Sequence, residues 1–427
     1  MAGSAIGLGN IWRFPYMVGE YGGSAFIILY LVATVFVSLP IFVAEVALGR
    51  RSRTSAAGAM SSLRPERKVW KYAGYLAVFI PTVIASYYSV IGGWSMSFMF
   101  KSFSGVFVNA SPEEVTGIFG TLTDSVWEPV AMHLLFLAIS CFIVMGGVKT
   151  GIEKFSKWSI PVLFVLIVVM IVYSVTLPGA KDGVDYLFKP DFSQLTPKSF
   201  AFALGQSFYS MSLGMGAIIT YGSYVSKYEN VLASSAGTAV SDLSFAILAG
   251  LAIMPAVFAA GIEPGAGPGL IFQSVPFIFA KMGETSPVLS GIMASLFFIS
   301  VVVAAMTSCV SLVEVGVSFI NEKFGISRRK SALVIFCICG ILGCVCAMED
   351  NIFSVCDWFC SNILLLTLSF IVAVFVGFVL KKEEIRDEIT NHGGLSGNGK
   401  IFPIFYFLIK WVAPIAILVI FFTNFVL

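Results

Sequence analysis

Two stretches of this chain combine cation-binding oxygens with a backbone that a helix holds poorly. The first is Gly3-Ser4-Ala5-Ile6-Gly7-Leu8-Gly9-Asn10-Ile11-Trp12-Arg13. Each of its glycines costs a helix about 1 kcal/mol relative to alanine. Asn10 and Arg13 are expensive to bury unpaired at membrane depth. Non-helical backbone in a bilayer is tolerated only against protein or a water-filled cavity. The stretch therefore reads as a broken helix, unwound near residues 5–8 and restarting around Asn10. Its freed carbonyls can ligate a cation, and the new helix N-terminus can attract an anion. The second stretch, Phe208-Tyr209-Ser210-Met211-Ser212-Leu213-Gly214-Met215-Gly216, interrupts another apolar run half a chain later. Either break alone reads equally well as a packing notch of small residues. The pair points to an inverted repeat with a midplane site between its halves. In a third stretch, Ala304-Ala305-Met306-Thr307-Ser308-Cys309, the two hydroxyls either bond back to their own helix or face the same site.

The elements that must position these residues are membrane helices. The chain has 427 residues, of which 58% are hydrophobic and 12% charged, and a mean hydropathy of +0.92. Soluble domains carry about 25% charged residues. Apolar runs of bilayer length predict helices near 24–48, 71–100, 129–146, 155–177, 198–225, 231–261, 287–320, 331–347, 353–380 and 401–425. With the broken first helix they make eleven, an all-α polytopic protein forming one membrane domain over 1–427. Basic residues mark the cytoplasmic side: Arg50, Arg51, Arg53, Arg64, Arg67, Lys68 and Lys71 share one loop, and Lys149, Lys154 and Lys157 the next on that side. Lys323, Arg328, Arg329, Lys330, Lys381, Lys382 and Arg386 complete it. Alternate loops carry Glu113, Glu114, Asp124, Glu128, Asp182, Asp185, Asp191, Glu263 and Glu284. The N-terminus is thus expected inside and, with an odd helix count, the C-terminus outside. The net charge of +2 sits in loops and implies no nucleic-acid partner.

Other signals are excluded on their chemistry. Gly394-Leu395-Ser396-Gly397-Asn398-Gly399-Lys400 resembles the start of a phosphate-binding loop, but Ile401 stands where a magnesium-binding hydroxyl belongs and no strand precedes it. It reads as a flexible cytoplasmic turn, and no enzymatic activity is expected. The eight cysteines lie mostly in apolar segments as small packing residues, and His133 and His392 lack ligand-spaced partners, so neither a disulfide framework nor zinc is expected. Asn109-Ala110-Ser111 is formally a glycosylation acceptor, but Pro112 follows it and it carries no weight. Glu263-Pro264-Gly265-Ala266-Gly267-Pro268-Gly269 breaks the chain sharply after the seventh helix.

Gly3-Ser4-Ala5-Ile6-Gly7-Leu8-Gly9-Asn10-Ile11-Trp12-Arg13-Phe14-Pro15-Tyr16 resembles the first-helix signature of the neurotransmitter:sodium symporters, and of their bacterial amino-acid transporters in particular. The resemblance runs through nearly the whole chain. It implies inverted five-helix repeats, helices 1–5 (residues 1–178) and 6–10 (198–380), with broken helices 1 and 6 and an extra helix at 401–425. The loop after the seventh helix would cap the entrance. Met1 falls where the resemblance places the middle of the first helix. The cytoplasmic half of that helix, with any basic tail, is therefore expected to be missing. The location implied is a bacterial inner membrane.

The resemblance implies two sodium sites. One takes the Gly3, Ile6 and Ala304 carbonyls and the Thr307 and Ser308 hydroxyls. The other takes the Ala5 carbonyl, the Asn10 side chain, Ser210 and a seventh-helix residue, either Asp242 or, one residue away, Ser241. Chloride-dependent relatives bind an anion near this site, and a fixed carboxylate at Asp242 offsets cation repulsion instead. No chloride requirement is expected.

The implied substrate pocket is Ser4, Ala5, Leu8, Gly9, Ile84, Tyr88, Tyr209, Ser210, Ser212, Met215, Ser308 and Leu312. Tyr88 and the Leu8 and Gly9 amides would take a carboxylate; the Ala5, Tyr209 and Ser210 carbonyls and the Ser212 hydroxyl an amine. Monoamine-transporting relatives carry Asp where this chain has Gly7, so the substrate should bring its own carboxylate. The expectation is an α-amino acid with an apolar or aromatic side chain against Ile84, Tyr209, Met215 and Leu312. The adaptable methionine favours a larger one. Arg13 and Asp357 match the outer gate, with Tyr88 and Tyr209 as a lid and Gln206 close by. Glu322 matches an inner-gate carboxylate whose arginine would lie in the missing segment.

The function implied is sodium-coupled amino-acid symport by alternating access, helices 1, 2, 6 and 7 rocking against 3, 4, 8 and 9. Two rivals remain at this stage. A proton-coupled or exchanging permease of the same architecture needs a basic residue in place of Thr307 and Ser308. A binding or sensor protein would hold the amino acid without moving it. The expected partners are the amino acid, sodium ions and the lipid bilayer; the oligomeric state is open.

Overall fold

The structure, a computed structural model, describes residues 2–108, 110–261 and 271–426. Asn109 and the sharp turn at 263–269 therefore lie outside the described residues. Among the described residues there is no strand, and nine helices are long and apolar enough to cross a bilayer: Gly23–Ser52, Val69–Phe103, Trp127–Met145, Val148–Val175, Val231–Ala259, Pro287–Phe324, Arg328–Met348, Asp350–Val379 and Ser396–Thr423. Two interrupted helices complete the expected eleven. The first runs as Ala2–Ala5, a gap, then Gly9–Arg13 and Phe14–Tyr21. The sixth runs as Pro197–Ser210, a gap, then Ala217–Tyr224.

The third and eighth helices, 35 and 38 residues long, form the axis of the molecule. At 1.5 Å per residue both exceed a hydrocarbon core of about 30 Å, and 78% of each apolar window is buried. The fourth and ninth helices pack on this pair, giving one group of four. The sixth packs on the second at both ends, and the first on the seventh, giving the other. The eighth helix starts at Pro287 and stops at Gly325, whose φ of 65° suits a glycine.

Several short helices fall where charged loops were expected: Ala56–Leu63, Pro112–Asp124, Ala180–Phe188, Ser274–Gly283 and Lys382–Thr390. Pro112–Asp124 begins with a capping box, in which Ser111 Oγ accepts from Glu114 N at 3.2 Å and Glu114 Oε2 from Ser111 N at 2.7 Å. The turn expected at 394–400 is corrected. Residues 391–394 make the turn, and the last membrane helix already starts at Ser396. Asn398 is buried there because its amide donates to Asn230 Oδ1 and Ile389 O, both at 2.8 Å. At the same end, buried Arg50 pairs with Glu388, and Arg51 and Arg64 both reach Glu384.

Candidate functional site

The first break is held open by its own side chain. Asn10 Oδ1 accepts from Gly7 N at 2.9 Å, while Asn10 N donates to Gly7 O at 3.2 Å. The following turn, Gly9–Arg13, is a wide π turn, a distortion that often accompanies functional sites. Gly7 lets the two helices meet closely: a Cβ there would lie 2.0 Å from Ser308 Oγ, which would have to turn away, and 3.4 Å from Ala304 O. That close approach brings the eighth helix against the gap. Thr307 Oγ1 donates to Ile6 O at 2.9 Å and Ala304 O at 2.8 Å. Ile6, Ala304, Thr307 and Ser308 thus share one neighbourhood. Gly3 lies against Ser156 of the fifth helix, 2.6 Å from Ser156 Oγ to an added Cβ.

The second break needs left-handed backbone: φ is 56° at Ser212, 69° at Gly214 and 68° at Gly216. Ser212 Oγ donates to Ser4 O at 2.9 Å, and Ser4 Oγ donates to Ser212 Oγ at 3.1 Å, so the two breaks are joined directly. Gly214 N donates to Glu45 Oε1 at 2.9 Å. A Cβ at Gly214 would sit 2.1 Å from Leu365 O, so the tenth helix closes on this turn.

Asp242 is the carboxylate of the cluster. It has no solvent exposure. Its Oδ1 accepts from Asn10 Nδ2 and Ser210 Oγ, each at 2.7 Å, and its Oδ2 from Tyr30 OH at 3.1 Å. Ser241, the alternative one residue away, bonds back to Gly237 O at 2.8 Å in its own helix. The seventh-helix choice at this cluster is therefore Asp242.

Eleven of the twelve expected pocket residues line one cavity between the breaks; Leu8 is buried nearby but does not line it. The cavity is small, about 20 Å³, little more than a water needs, so its walls must part to admit a solute. Tyr88 and Tyr209 are buried, and among the described residues neither hydroxyl makes a well-formed hydrogen bond, although Ser308 and the Leu8 backbone lie near that of Tyr88. Two such buried hydroxyls on a mostly apolar cavity suit a ligand that brings its own acceptors.

Above the cavity, Arg13 lies over the Tyr209 ring, 4.6 Å from guanidinium to centroid. Asp357 acts on it electrostatically, but its side chain accepts from Ser361 at 3.3 Å, and no direct Arg13–Asp357 ion pair forms among the described residues. Gln206, expected near the gate, is fully buried and donates to Gly9 O at 3.3 Å, bracing the first break from below the gate. At the inner end, Glu322 Oε2 accepts from Ser55 N at 2.5 Å, anchoring the start of Ala56–Leu63.

Three groups escaped the sequence reading. Glu45 braces the second break, Tyr30 supports Asp242, and buried Glu314 accepts from Tyr224 OH at 2.7 Å while pairing with Arg328. The last contact closes the inner half of the sixth helix against the eighth. A lone carboxylate inside an apolar membrane run was signal enough for Glu45 and Glu314.

The fold and site define a polytopic membrane protein with two broken helices around a small cavity lined by apolar and hydroxyl side chains. A family model described as the Sodium:neurotransmitter symporter family matches residues 1–114 and 113–427. The chain belongs to that family, and is a sodium-dependent transporter. It is 34% identical to the sodium-dependent transporter YhdH of Bacillus subtilis, covering 98% of this chain and 94% of the relative. It is likewise 34% identical to a sodium-dependent transporter of Haemophilus influenzae, covering 99% and 95%. Its structure matches that of MhsT in complex with L-phenylalanine at a TM-score of 0.90 and 37% identity, over 99% of this chain and 96% of that one.

Proposed function

We propose that this protein carries an apolar or aromatic α-amino acid into the cell together with sodium ions, by alternating access and without a chloride requirement. The observation that carries the reading is Asp242, buried against Asn10 and against Ser210, which itself lines the cavity. Ala5 O, Asn10, Ser210, Asp242 and the substrate carboxylate would hold one sodium. The Gly3, Ile6 and Ala304 carbonyls with Thr307 and Ser308 would hold the second. A fixed negative charge beside two cations removes the need for a mobile anion. With glycine at position 7, this chain offers no carboxylate there to meet a substrate amine. The substrate's own carboxylate then completes the first sodium shell and takes the Tyr88 hydroxyl. Its amine meets Ser212 and the freed carbonyls of both breaks. Ile84, Met215 and Leu312 receive the side chain, and the L-phenylalanine bound by MhsT supports placing aromatic residues ahead of leucine-like ones.

The basic helix ends set the orientation, in an inner membrane, with the N-terminus cytoplasmic. Arg13 over Tyr209, with Asp357 near, forms the outer closure; Glu314 with Tyr224 and Arg328 forms the inner one. The two packing groups of helices supply the bodies that rock, as two inverted repeats would. Each charge moved across 100 mV yields about 2.3 kcal/mol, and a tenfold gradient about 1.4. Two sodium ions with a zwitterion thus supply about 7 kcal/mol, enough for roughly 10⁵-fold accumulation.

The test is uptake of labelled tyrosine, tryptophan, phenylalanine and leucine by proteoliposomes under an inward sodium gradient. Accumulation above the external concentration is expected. Tight binding with neither uptake nor counterflow would favour a sensor instead.

A further inference from the structure

A cavity of about 720 Å³ lies apart from the substrate site and shares none of its lining residues. It lies at the basic end of the bundle, between the close of the fourth helix, the start of the fifth and Arg329 of the ninth. Its base is a glycine contact: a Cβ at Gly151 would fall 2.1 Å from Ile143 O and 3.2 Å from the Gly146 backbone. Its walls are aromatic and open to the surroundings, with Phe142 76% and Trp158 62% exposed. Ser156, on another side of the same helix, faces Gly3 instead, so this surface looks away from the transport path.

The rim is cationic. Lys154 and Arg329 both line the cavity, and neither has an ion-pair or hydrogen-bond partner among the described residues. The one neighbouring carboxylate on the fifth helix, Glu153, is engaged by Lys157 at 2.7 Å. The adjacent Arg328 turns inward to Glu314 and Val144 O. Positive charge above an exposed aromatic wall, at the level where tryptophan marks the membrane interface, matches one molecule with both chemistries. We propose that this groove holds an anionic phospholipid. Its phosphate is received by Lys154 and the forked guanidinium of Arg329, and its acyl chains lie along Phe142, Phe155 and Trp158. Basic pockets between membrane helices bind such headgroups by the same physics. The inference needs only that this end faces a membrane leaflet, so it survives if the sodium-coupled reading fails.

The test uses the full chain, purified in detergent and titrated with phosphatidylglycerol or with phosphatidylcholine of identical acyl chains, bound lipid being counted by native mass spectrometry. The first phosphatidylglycerol should be retained on the order of tenfold more tightly than phosphatidylcholine. Lys154→Ala/Arg329→Ala should erase that preference. Arg67→Ala/Lys68→Ala, which removes two exposed charges from another loop at the same end, should leave it intact. Lipid-free thermal unfolding reports whether each variant is folded, and the single variants Lys154→Gln and Arg329→Gln should each weaken the preference in part. Equal retention of both lipids, or an unchanged preference in Lys154→Ala/Arg329→Ala, would overturn the proposal. So would displacement of the lipid by glycerol phosphate at equal concentration, which would mark a plain anion site.

Discussion

Asn10 Nδ2 lies 2.7 Å from Asp242 Oδ1, joining the restart of the first helix to the middle of the seventh. The same oxygen accepts from Ser210, so one carboxylate ties three helices together at the cavity.

Asp242→Asn keeps the shape of that junction and removes its charge. A unit charge 4 Å from a cation contributes about 4 kcal/mol at an effective dielectric constant of 20. The sodium concentration for half-maximal amino-acid binding should rise at least about tenfold, measured with labelled substrate across a sodium titration. An unchanged sodium requirement would reduce Asp242 to a brace for Asn10 and Ser210.

Gly7→Ala places a methyl group 2.0 Å from Ser308 Oγ. The hydroxyl can swing away, so the protein should still fold, but Ser308 then leaves the second proposed sodium shell. Binding should weaken at least about tenfold with little change in thermal stability. Wild-type affinity would remove Ser308 from the ion site.

Glu45→Ala removes the acceptor of the Gly214 N–H at a fully buried position. Such a loss costs about 1–3 kcal/mol, a drop of a few degrees in unfolding temperature. Glu45→Gln retains an acceptor for Gly214 and should stay near wild type. Equal losses in both variants would show that the charge, and not the hydrogen bond, braces the break.

The clasp at the basic end should loosen in acid. Partial burial pushes the Glu384 carboxyl up, but the hydrogen bonds from Arg64 and Lys381 N and the charges of Arg64 and Arg51 outweigh it, holding it below the usual glutamate value. A carboxyl depressed on folding contributes stability that is present above its unfolded value, about 4.3, and is lost as pH falls through the folded one. Hydrogen exchange across Lys382–Thr390 should therefore stay slow at pH 6 and, corrected for intrinsic rate, quicken below about pH 4. Glu384→Gln should remove the pH step. The effect is small, because the pair is solvent-screened.

Both breaks were legible in the chain because glycine, serine and asparagine clustered where a bilayer demands an unbroken helix. Asp242 was legible to within one residue, and only the side-chain direction separated it from Ser241, which turns back to Gly237 O. Glu45 and Glu314 were passed over although each is a single carboxylate in an apolar run, the pattern that made Asp242 conspicuous. The short amphipathic helices were missed because a charged segment such as Lys382–Thr390 reads as loop until Arg51 and Arg64 are seen to hold it. The Arg13 arrangement could not be read from residue types. Stacking on Tyr209 and pairing with Asp357 are both open to a long guanidinium side chain, and the packing around it decides.

The most direct measurement is equilibrium binding of labelled tyrosine, tryptophan and leucine to the purified protein, in sodium and then in potassium, with gluconate replacing chloride throughout. Saturable binding in sodium and none in potassium is the expected result, and it tests the two ion shells, Asp242 and the substrate carboxylate together. Equal binding in both salts would contradict sodium coupling at this site, and binding in sodium only after chloride is restored would contradict the role given to Asp242.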